Sequence, residues 1–69
     1  MPESTYKIIE LVGTSTESWE AAAKSALEKA SKSLEDIRIA EIEKLDMKVE
    51  ENKVVAYRAR LKVSFKYKD

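Results

Sequence analysis

Apolar and charged residues alternate through residues 54–67, which read V-V-A-Y-R-A-R-L-K-V-S-F-K-Y. Successive side chains of a β-strand point to opposite faces, so this pattern predicts one long strand with an apolar face and a basic face. The apolar face comprises Val55, Tyr57, Ala59, Leu61, Val63, Phe65 and Tyr67. The basic face comprises Arg58, Arg60, Lys62, Ser64, Lys66 and Lys68. An apolar face of this length has to be covered by other parts of the protein.

A second long strand precedes this one, and its apolar residues change parity partway along. One extra residue near Glu43-Lys44 would bring both sets to the same face, so we predict a β-bulge there. The two strands each run for about 12–14 residues, or roughly 40 Å. The two sets are Ala40 and Ile42, followed by Leu45, Met47 and Val49.

The stretch Glu50–Lys53, which reads E-E-N-K, lies between the two long strands. Its composition predicts a hairpin turn in which Asn52 takes a positive φ. We expect this turn to pair Val49 with Val55.

That register brings opposite charges together on the basic face. Asp46 falls beside Arg58 and, once the bulge is counted, Glu41 falls beside Lys62. Two interpretations remain open, namely a salt-linked face that lines water or a subunit contact, and an anion site for a phosphate-bearing ligand. We expect no nucleic-acid partner, because 13 basic residues balance 13 acidic ones and leave no global basic field.

The first third of the chain predicts a strand followed by a helix. Residues Thr5–Val12 are β-branched and apolar, and we expect their strand to end at Gly13. Ser15 is the predicted N-cap of a helix of about 20 residues, or about 30 Å. Trp19 begins its apolar stripe and is interpreted as packing in the core or at a subunit interface rather than as a ligand platform. The stripe consists of Trp19, Ala23, Ala26, Leu27, Ala30 and Leu34.

A chain of 69 residues is long enough for one domain, residues 1–69, and too short for a large core. A core of this size supplies only about 3–5 kcal/mol. The chain has no cysteine and no histidine, so disulfides are excluded and a structural zinc site lacks its usual ligands. Association with copies of itself is the remaining way to stabilise such a chain.

The same composition bears on the class of protein. The chain has no histidine or cysteine, so it lacks the residues that usually form nucleophile–base pairs and catalytic zinc sites. We therefore expect that it is not an enzyme. The apolar runs are far shorter than the ~20 residues needed to span a bilayer, and no secretory signal is visible. We therefore expect a cytoplasmic protein without a membrane partner.

Four carboxylates, those of Glu17, Glu20, Asp36 and Asp69, could contribute oxygens to a hard cation such as calcium. Their spacing does not match an EF-hand loop. Exposed surface charge is our default interpretation of each, and the metal ligands stay unassigned.

Several motifs in this order resemble the dodecin family. The segment 10–15, E-L-V-G-T-S, matches the family's passage from strand to helix, and the alanine-rich segment 19–23, W-E-A-A-A, follows at the expected place. The segments 40–42, A-E-I, and 61–65, L-K-V-S-F, also fit. The resemblance covers essentially the whole chain. It implies an α+β fold of β-α-β-β order, with three antiparallel strands wrapped around one helix, and a hollow homododecamer.

The resemblance also implies a ligand. Dodecins bind flavins such as FMN and riboflavin in pairs between subunits, for storage and photoprotection. A tryptophan stacks on the ring and a glutamine hydrogen-bonds its edge. Those two positions correspond to Ile39 and Arg58 here. Arginine cannot accept a hydrogen bond but can hold a phosphate or carboxylate. The predicted ligand contacts are Ile39, Glu41, Asp46, Arg58 and Arg60.

A variant branch of the family lacks the tryptophan and is linked to calcium rather than flavin. The segments 18–20, S-W-E, 36–38, D-I-R, and 46–47, D-M, resemble that branch. We therefore expect a homododecameric binding or storage protein whose family ligand is flavin. The alternatives are a calcium-binding or other cation-binding variant and a structural or interaction assembly without a ligand.

Overall fold

The computed structural model describes residues 3–67 and contains one helix and three strands. Strand β1 spans Tyr6–Ser15, helix α1 spans Trp19–Ala30, strand β2 spans Ile37–Glu50 and strand β3 spans Lys53–Lys66. The predicted β-α-β-β order is confirmed, and so are the two long strands.

The strands form one antiparallel sheet in the order β1-β3-β2. Strand β1 therefore pairs with β3 rather than with β2, the next strand along the chain. Helix α1 carries the chain from one edge of the sheet to the other and leaves the central place to β3. That strand contributes the buried side chains of Ala59, Leu61 and Val63. Its long apolar alternation suits it to the centre, where both neighbours extend the face that the helix covers.

The predicted bulge is confirmed and lies at Glu43. Ile42 pairs with Leu61 and Lys44 pairs with Arg60, so Glu43 is the extra residue. The bulge restores the apolar residues of β2 to the face that carries α1, which we call the inner face. The opposite face of the sheet is the outer face. Two further register shifts, between positions 37 and 39 and between positions 48 and 49, were not predicted.

The hairpin turn is confirmed, with one difference in pairing. Glu51 and Asn52 have φ values of 52° and 62°, which is the backbone of a two-residue type I′ turn. Asn52 was expected there, whereas Glu51 was not. Val49 pairs with Val54 rather than with Val55, because the extra register shift absorbs one residue.

Gly13 does not end β1, because the strand continues to Ser15. Gly13 instead permits a close approach of the strand to the helix. A Cβ atom at this position would overlap the carbonyl oxygen of Ala22 and lie 2.9 Å from the Cβ of Ala26. Ala22 is fully buried but was absent from the predicted helical stripe. The helix is rotated so that its smallest side chains meet the strand.

The predicted N-cap at Ser15 is wrong, and Ser18 caps the helix. Ser18 has extended backbone (φ −165°, ψ 166°), and its hydroxyl oxygen accepts a hydrogen bond of 3.0 Å from the Ala21 N–H. Ser15 still lies in β1, and its hydroxyl oxygen accepts a hydrogen bond of 3.0 Å from the Glu17 N–H. Continuation of the strand past Gly13 is what displaces the cap.

Helix α1 has 12 residues, or about 18 Å, and is shorter than predicted. Its end coincides with Ser31, whose hydroxyl donates a 2.7 Å hydrogen bond to the Glu28 carbonyl. Such bonds offer the backbone an alternative to further helix. Leu34 consequently lies in the connection to β2. Among residues 3–67, no helix is long and apolar enough to cross a membrane.

One copy is elongated and poorly covered. Its extents are 54 × 20 × 14 Å and its radius of gyration is 14.4 Å, against about 11 Å for a compact chain of this length. Its accessible surface is 5561 Å², against about 4,400 Å² for a compact monomer of this mass. The helix packs on β1 and β3 and barely reaches β2. A large part of the inner face is therefore open.

The open part is the hairpin arm, which we define as residues 45–55. These residues lie at the hairpin end of the two 14-residue strands, which reach about 46 Å and so extend well past the helix. The exposed apolar side chains of the hairpin arm are Leu45, Met47, Val49, Val54 and Val55.

The contact between Gly13 and α1 predicts the effect of adding one methyl group. Gly13→Ala should lower the free energy of unfolding by about 1–3 kcal/mol, because the new Cβ forces the helix backbone away from the strand. Thr14→Ala is the matched control, since Thr14 is exposed. Chemical denaturation followed by circular dichroism measures both. Equal stability of Gly13→Ala and the wild type would contradict the close approach.

Candidate ligand site on the outer face of the sheet

The five predicted ligand contacts lie along β2 and β3 rather than in one cluster. Six residues of β3 separate the first pairing position from the last, a distance of about 20 Å. The structure brings Asp46 and Arg58 together, whereas Ile39 lies at the other end of this series of paired residues. In register order, Asp46 pairs with Arg58, Lys44 with Arg60, Glu41 with Lys62, and Ile39 with Ser64.

Asp46 and Arg58 form a bidentate ion pair, as their predicted proximity suggested. The Arg58 Nε donates to Asp46 Oδ1 at 2.7 Å, and Nη2 donates to Oδ2 at 2.8 Å. This fork geometry is the strongest arrangement that a guanidinium and a carboxylate can adopt. The hydrogen bonds from Arg58 lower the pKa of Asp46, and the same bonds raise the pKa of Arg58. The guanidinium is therefore already occupied by a carboxylate of its own chain.

Asp46 also connects the sheet to the start of the helix. The indole N–H of Trp19 donates a 2.9 Å hydrogen bond to the Asp46 carbonyl oxygen. The indole ring meets Tyr57 edge to face, with centroids 5.2 Å apart and an interplanar angle of 72°. Trp19 thus packs within the copy, as the sequence indicated. No local pattern in the sequence indicates the Trp19–Asp46 bond, because it joins residues 27 positions apart.

A second ion pair lies farther along the outer face, and its carboxylate was not the predicted one. Lys62 pairs with Glu41 in register, but its Nζ lies 2.9 Å from Oε2 of Glu43. The bulge adds Glu43 to the outer face and so places it within reach of Lys62. The hydrogen bond from Lys62 is the main reason that the pKa of Glu43 is lowered, and a hydrogen bond with Glu10 lowers it further. In the sequence, only the change of parity among the apolar residues of β2 indicated that Glu43 could reach Lys62.

Ile39 and Arg58 occupy the two positions at which a flavin would be held, so their side chains decide whether a flavin fits. Ile39 is 64% exposed and offers no π face on which a flat ring could stack. Arg58 donates two hydrogen bonds to the Asp46 carboxylate. Its guanidinium cannot accept a hydrogen bond from a flavin edge. The residues at these positions therefore do not fit a flavin.

The carboxylates of residues 3–67 do not gather into a calcium site within one copy. Calcium takes 6–8 oxygen ligands, yet residues 3–67 contain no group of three carboxylates placed to hold a metal ion. Glu17, Glu20 and Asp36 are among the residues searched, whereas Asp69 lies outside the described part of the chain.

An apolar hollow lies on the inner side, where the helix begins. It has a volume of about 430 Å³ and is lined by Trp19, Glu20, Ala23, Ile42 and Leu45. Ile42 and Leu45 are about half exposed, so the hollow is continuous with the uncovered hairpin arm. Its lining suits an apolar side chain better than a charged ligand.

Comparison with known proteins identifies one family, in agreement with the sequence motifs. The family model described as dodecin matches residues 5–68. Calcium dodecin of Mycobacterium tuberculosis is 46% identical over 63 residues, which are 91% of this chain and 89% of that protein.

Solved structures agree in fold. The crystal structure of M. tuberculosis calcium dodecin, described as calcium chelating with a novel calcium-binding site, has a TM-score of 0.85 at 45% identity and covers 94% of this chain and 93% of that one. An arginine-to-alanine mutant of T. thermophilus dodecin has a TM-score of 0.89 at 36% identity, covering 97% and 100%. Dodecin from Streptomyces coelicolor has a TM-score of 0.93 at 28% identity, covering 100% and 99%.

The Asp46–Arg58 pair predicts how stability depends on acid. Because the folded pKa of Asp46 is below its ordinary value of about 3.9, the pair stabilises the fold above that value. This stabilisation is lost as the pH falls through the folded pKa. Asp46→Asn should therefore be less stable than the wild type at pH 7 and should decline less steeply below about pH 4.

Urea denaturation midpoints between pH 7 and pH 3 measure this difference. Glu50→Gln is the control, since it removes an exposed carboxylate of the same strand whose ion pair with Lys48 is long, at 3.6 Å, and exposed. Identical pH profiles for Asp46→Asn and the wild type would show that the pair contributes nothing to folding.

Proposed function

The chain belongs to the dodecin family, and on that premise we propose that twelve copies form a closed shell that binds calcium at sites shared between copies. The observation that carries the choice of ligand is the Asp46–Arg58 ion pair at the position where a flavin would be held. The Asp46 carboxylate binds the Arg58 guanidinium that a ligand would otherwise contact.

The shape of one copy supports the proposed assembly. Its accessible surface exceeds that of a compact monomer by about 1,100 Å². The excess is comparable to what each partner contributes to a protein–protein interface. The hairpin arm supplies an apolar part of this surface, and copies of the same chain are the partners that a homo-oligomer provides.

Two lines of support favour calcium over flavin. The relative that is 46% identical across most of both chains is a calcium dodecin, and the residues at the two flavin positions do not fit the ring. Sharing a site between copies agrees with the lack of a three-carboxylate group in residues 3–67 of a single copy.

The role we propose is binding and storage rather than catalysis. The absence of histidine and cysteine supports this choice, because the commonest catalytic bases and nucleophiles are missing. We propose that residues 1–69 act as one domain in the cytoplasm, with neither nucleic acid nor a membrane as partner. The formal net charge of zero supports the absence of an electrostatic partner of either kind.

Native mass spectrometry with and without calcium tests the proposal. Twelve chains of 7.9 kDa give a particle of about 95 kDa, and we expect calcium increments on it that a chelator removes. Calcium should also raise the melting temperature of the particle, because a ligand bound only to the folded state stabilises it. Magnesium at the same concentration is the control for general ionic effects.

The outcomes separate the alternatives. A particle that carries flavin-sized increments as purified would overturn the choice of calcium and keep the shell. A particle that takes up neither ligand would leave a structural assembly. A single-copy species would overturn the shell itself.

The fit at the flavin positions predicts a gain of function. The double substitution Ile39→Trp with Arg58→Gln should strengthen FMN binding by about 5- to 150-fold, because one aromatic stacking contact contributes about 1–3 kcal/mol. Quenching of FMN fluorescence measures the affinity. Ile39→Val with Arg58→Gln is the matched control, since it changes Arg58 without adding a π face. Wild-type binding as tight as that of the tryptophan variant would contradict our account of these two positions.

A further inference from the structure

Two different contacts of the molecule meet at one residue, Asp46. On the outer face its carboxylate accepts two hydrogen bonds from Arg58, at 2.7 and 2.8 Å. Its carbonyl oxygen accepts the indole N–H of Trp19 at 2.9 Å. One residue of β2 therefore takes part both in the ion pair and in the attachment of the helix start.

The central strand brings the same two contacts together at neighbouring residues. Arg58 directly follows Tyr57 in the chain. The Tyr57 ring packs edge to face against the Trp19 indole, with centroids 5.2 Å apart. At most one peptide bond therefore separates the ion pair from either contact of the indole.

The β-ladder by itself restrains Asp46 weakly. Strand β2 is at the edge of the sheet of one copy, because the strand order is β1-β3-β2. Asp46 also lies between two register shifts, one at positions 42–44 and one at positions 48–49. Such irregularities leave a residue unpaired and disrupt the ladder locally. The bidentate bond to Arg58 therefore adds a restraint on Asp46 that the ladder does not supply.

Trp19 matters to the helix because little else joins α1 to β2. The helix packs mainly on β1 and β3, whereas the Trp19 indole binds the β2 backbone. Trp19 is also the first residue of the helix. The position of its acceptor therefore determines where the helix begins relative to β2.

The same indole forms one wall of the apolar hollow of about 430 Å³ at the helix start. Trp19 lines the hollow from the helix, and Ile42 and Leu45 line it from β2. Leu45 directly precedes Asp46 in the chain. The Trp19–Asp46 hydrogen bond thus joins the two walls, and the width of the hollow depends on it.

We propose that Arg58 is a positioning residue for the start of the helix, acting through Asp46 on Trp19. Two donors fix the Asp46 side chain and so hold its carbonyl oxygen where the indole N–H binds. When the pair opens, Asp46 loses this restraint, Trp19 loses its acceptor and the hollow widens beside the hairpin arm. A change of charge on the outer face thereby alters an apolar surface on the inner face, and by reciprocity a group packed against Trp19 stabilises the closed pair.

Trp19 is the one tryptophan of the chain, so intrinsic fluorescence reports its surroundings directly. Asp46→Ala removes the carboxylate, and Arg58→Met removes every donor while keeping the length of the side chain. Both variants keep the Asp46 carbonyl and the Tyr57 ring. We expect each to shift the emission of the folded protein to longer wavelength and to increase its quenching by acrylamide.

Lys62→Met is the matched control. It opens the other ion pair of the outer face, in which Lys62 Nζ lies 2.9 Å from Glu43 Oε2. Lys62 is on the same strand as Arg58 but lies four residues, or about 13 Å, farther along it. The Trp19 emission of this variant should equal that of the wild type.

Reversal of the pair separates a positioning role from a loss of side-chain packing. Asp46→Arg combined with Arg58→Asp places the same two charges at paired positions in the opposite order. The double variant should return the emission toward that of the wild type, whereas each single reversal sets like charges opposite each other and should shift it. Urea denaturation and native mass spectrometry ensure that all spectra come from folded proteins with the same number of copies.

Three results would overturn the inference. They are an unchanged emission in both Asp46→Ala and Arg58→Met, an equal shift in Lys62→Met, and a folded double reversal whose emission stays shifted. The contacts involved all lie within one copy, so these results are independent of calcium uptake and of the mass of the shell. Failure of the proposed function would leave the positioning role of Arg58 in place, and the reverse also holds.

Discussion

The helix is much shorter than the two long strands, and this difference in length determines which part of the sheet is covered. The helix has 12 residues and reaches about 18 Å, while the two long strands have 14 residues each and reach about 46 Å. The helix can therefore cover only the end of the sheet where β1 adds a third strand. There Gly13 lets the helix backbone approach closely, and Ala22, Ala59, Leu61 and Val63 form the small buried core. Most apolar side chains of the hairpin arm remain exposed among residues 3–67 of its own copy.

Asp46 joins the covered and uncovered parts of the sheet. Its carbonyl oxygen accepts the Trp19 indole N–H, and its carboxylate accepts both arms of Arg58. One residue thus fixes the start of the helix on the inner face and a guanidinium on the outer face. A ligand that needs Arg58 has to compete with a bidentate partner already in place.

The outer face combines satisfied charges with isolated apolar groups. Its main ion pairs are closed within the copy, which makes the face easier to bury than one with unpaired charges. Ile8, Val12 and Ile39 are exposed apolar side chains on this face. The inner face is therefore broadly apolar on the hairpin arm, whereas the outer face carries exposed apolar side chains among ion pairs.

The sequence by itself determined the element order, the long strands, the bulge, the turn at Asn52 and the Asp46–Arg58 neighbours. The element order follows from strand and helix periodicity, and the other features follow from alternation or spacing along one hairpin, where pairing is local. Tertiary structure decided what depends on distant residues. Contact with the helix explains why β1 runs through Gly13, and the central place of β3 joins Ile8 and Ile39 to Ser64. No local pattern encodes those approaches, because they are set by how the helix and the sheet pack.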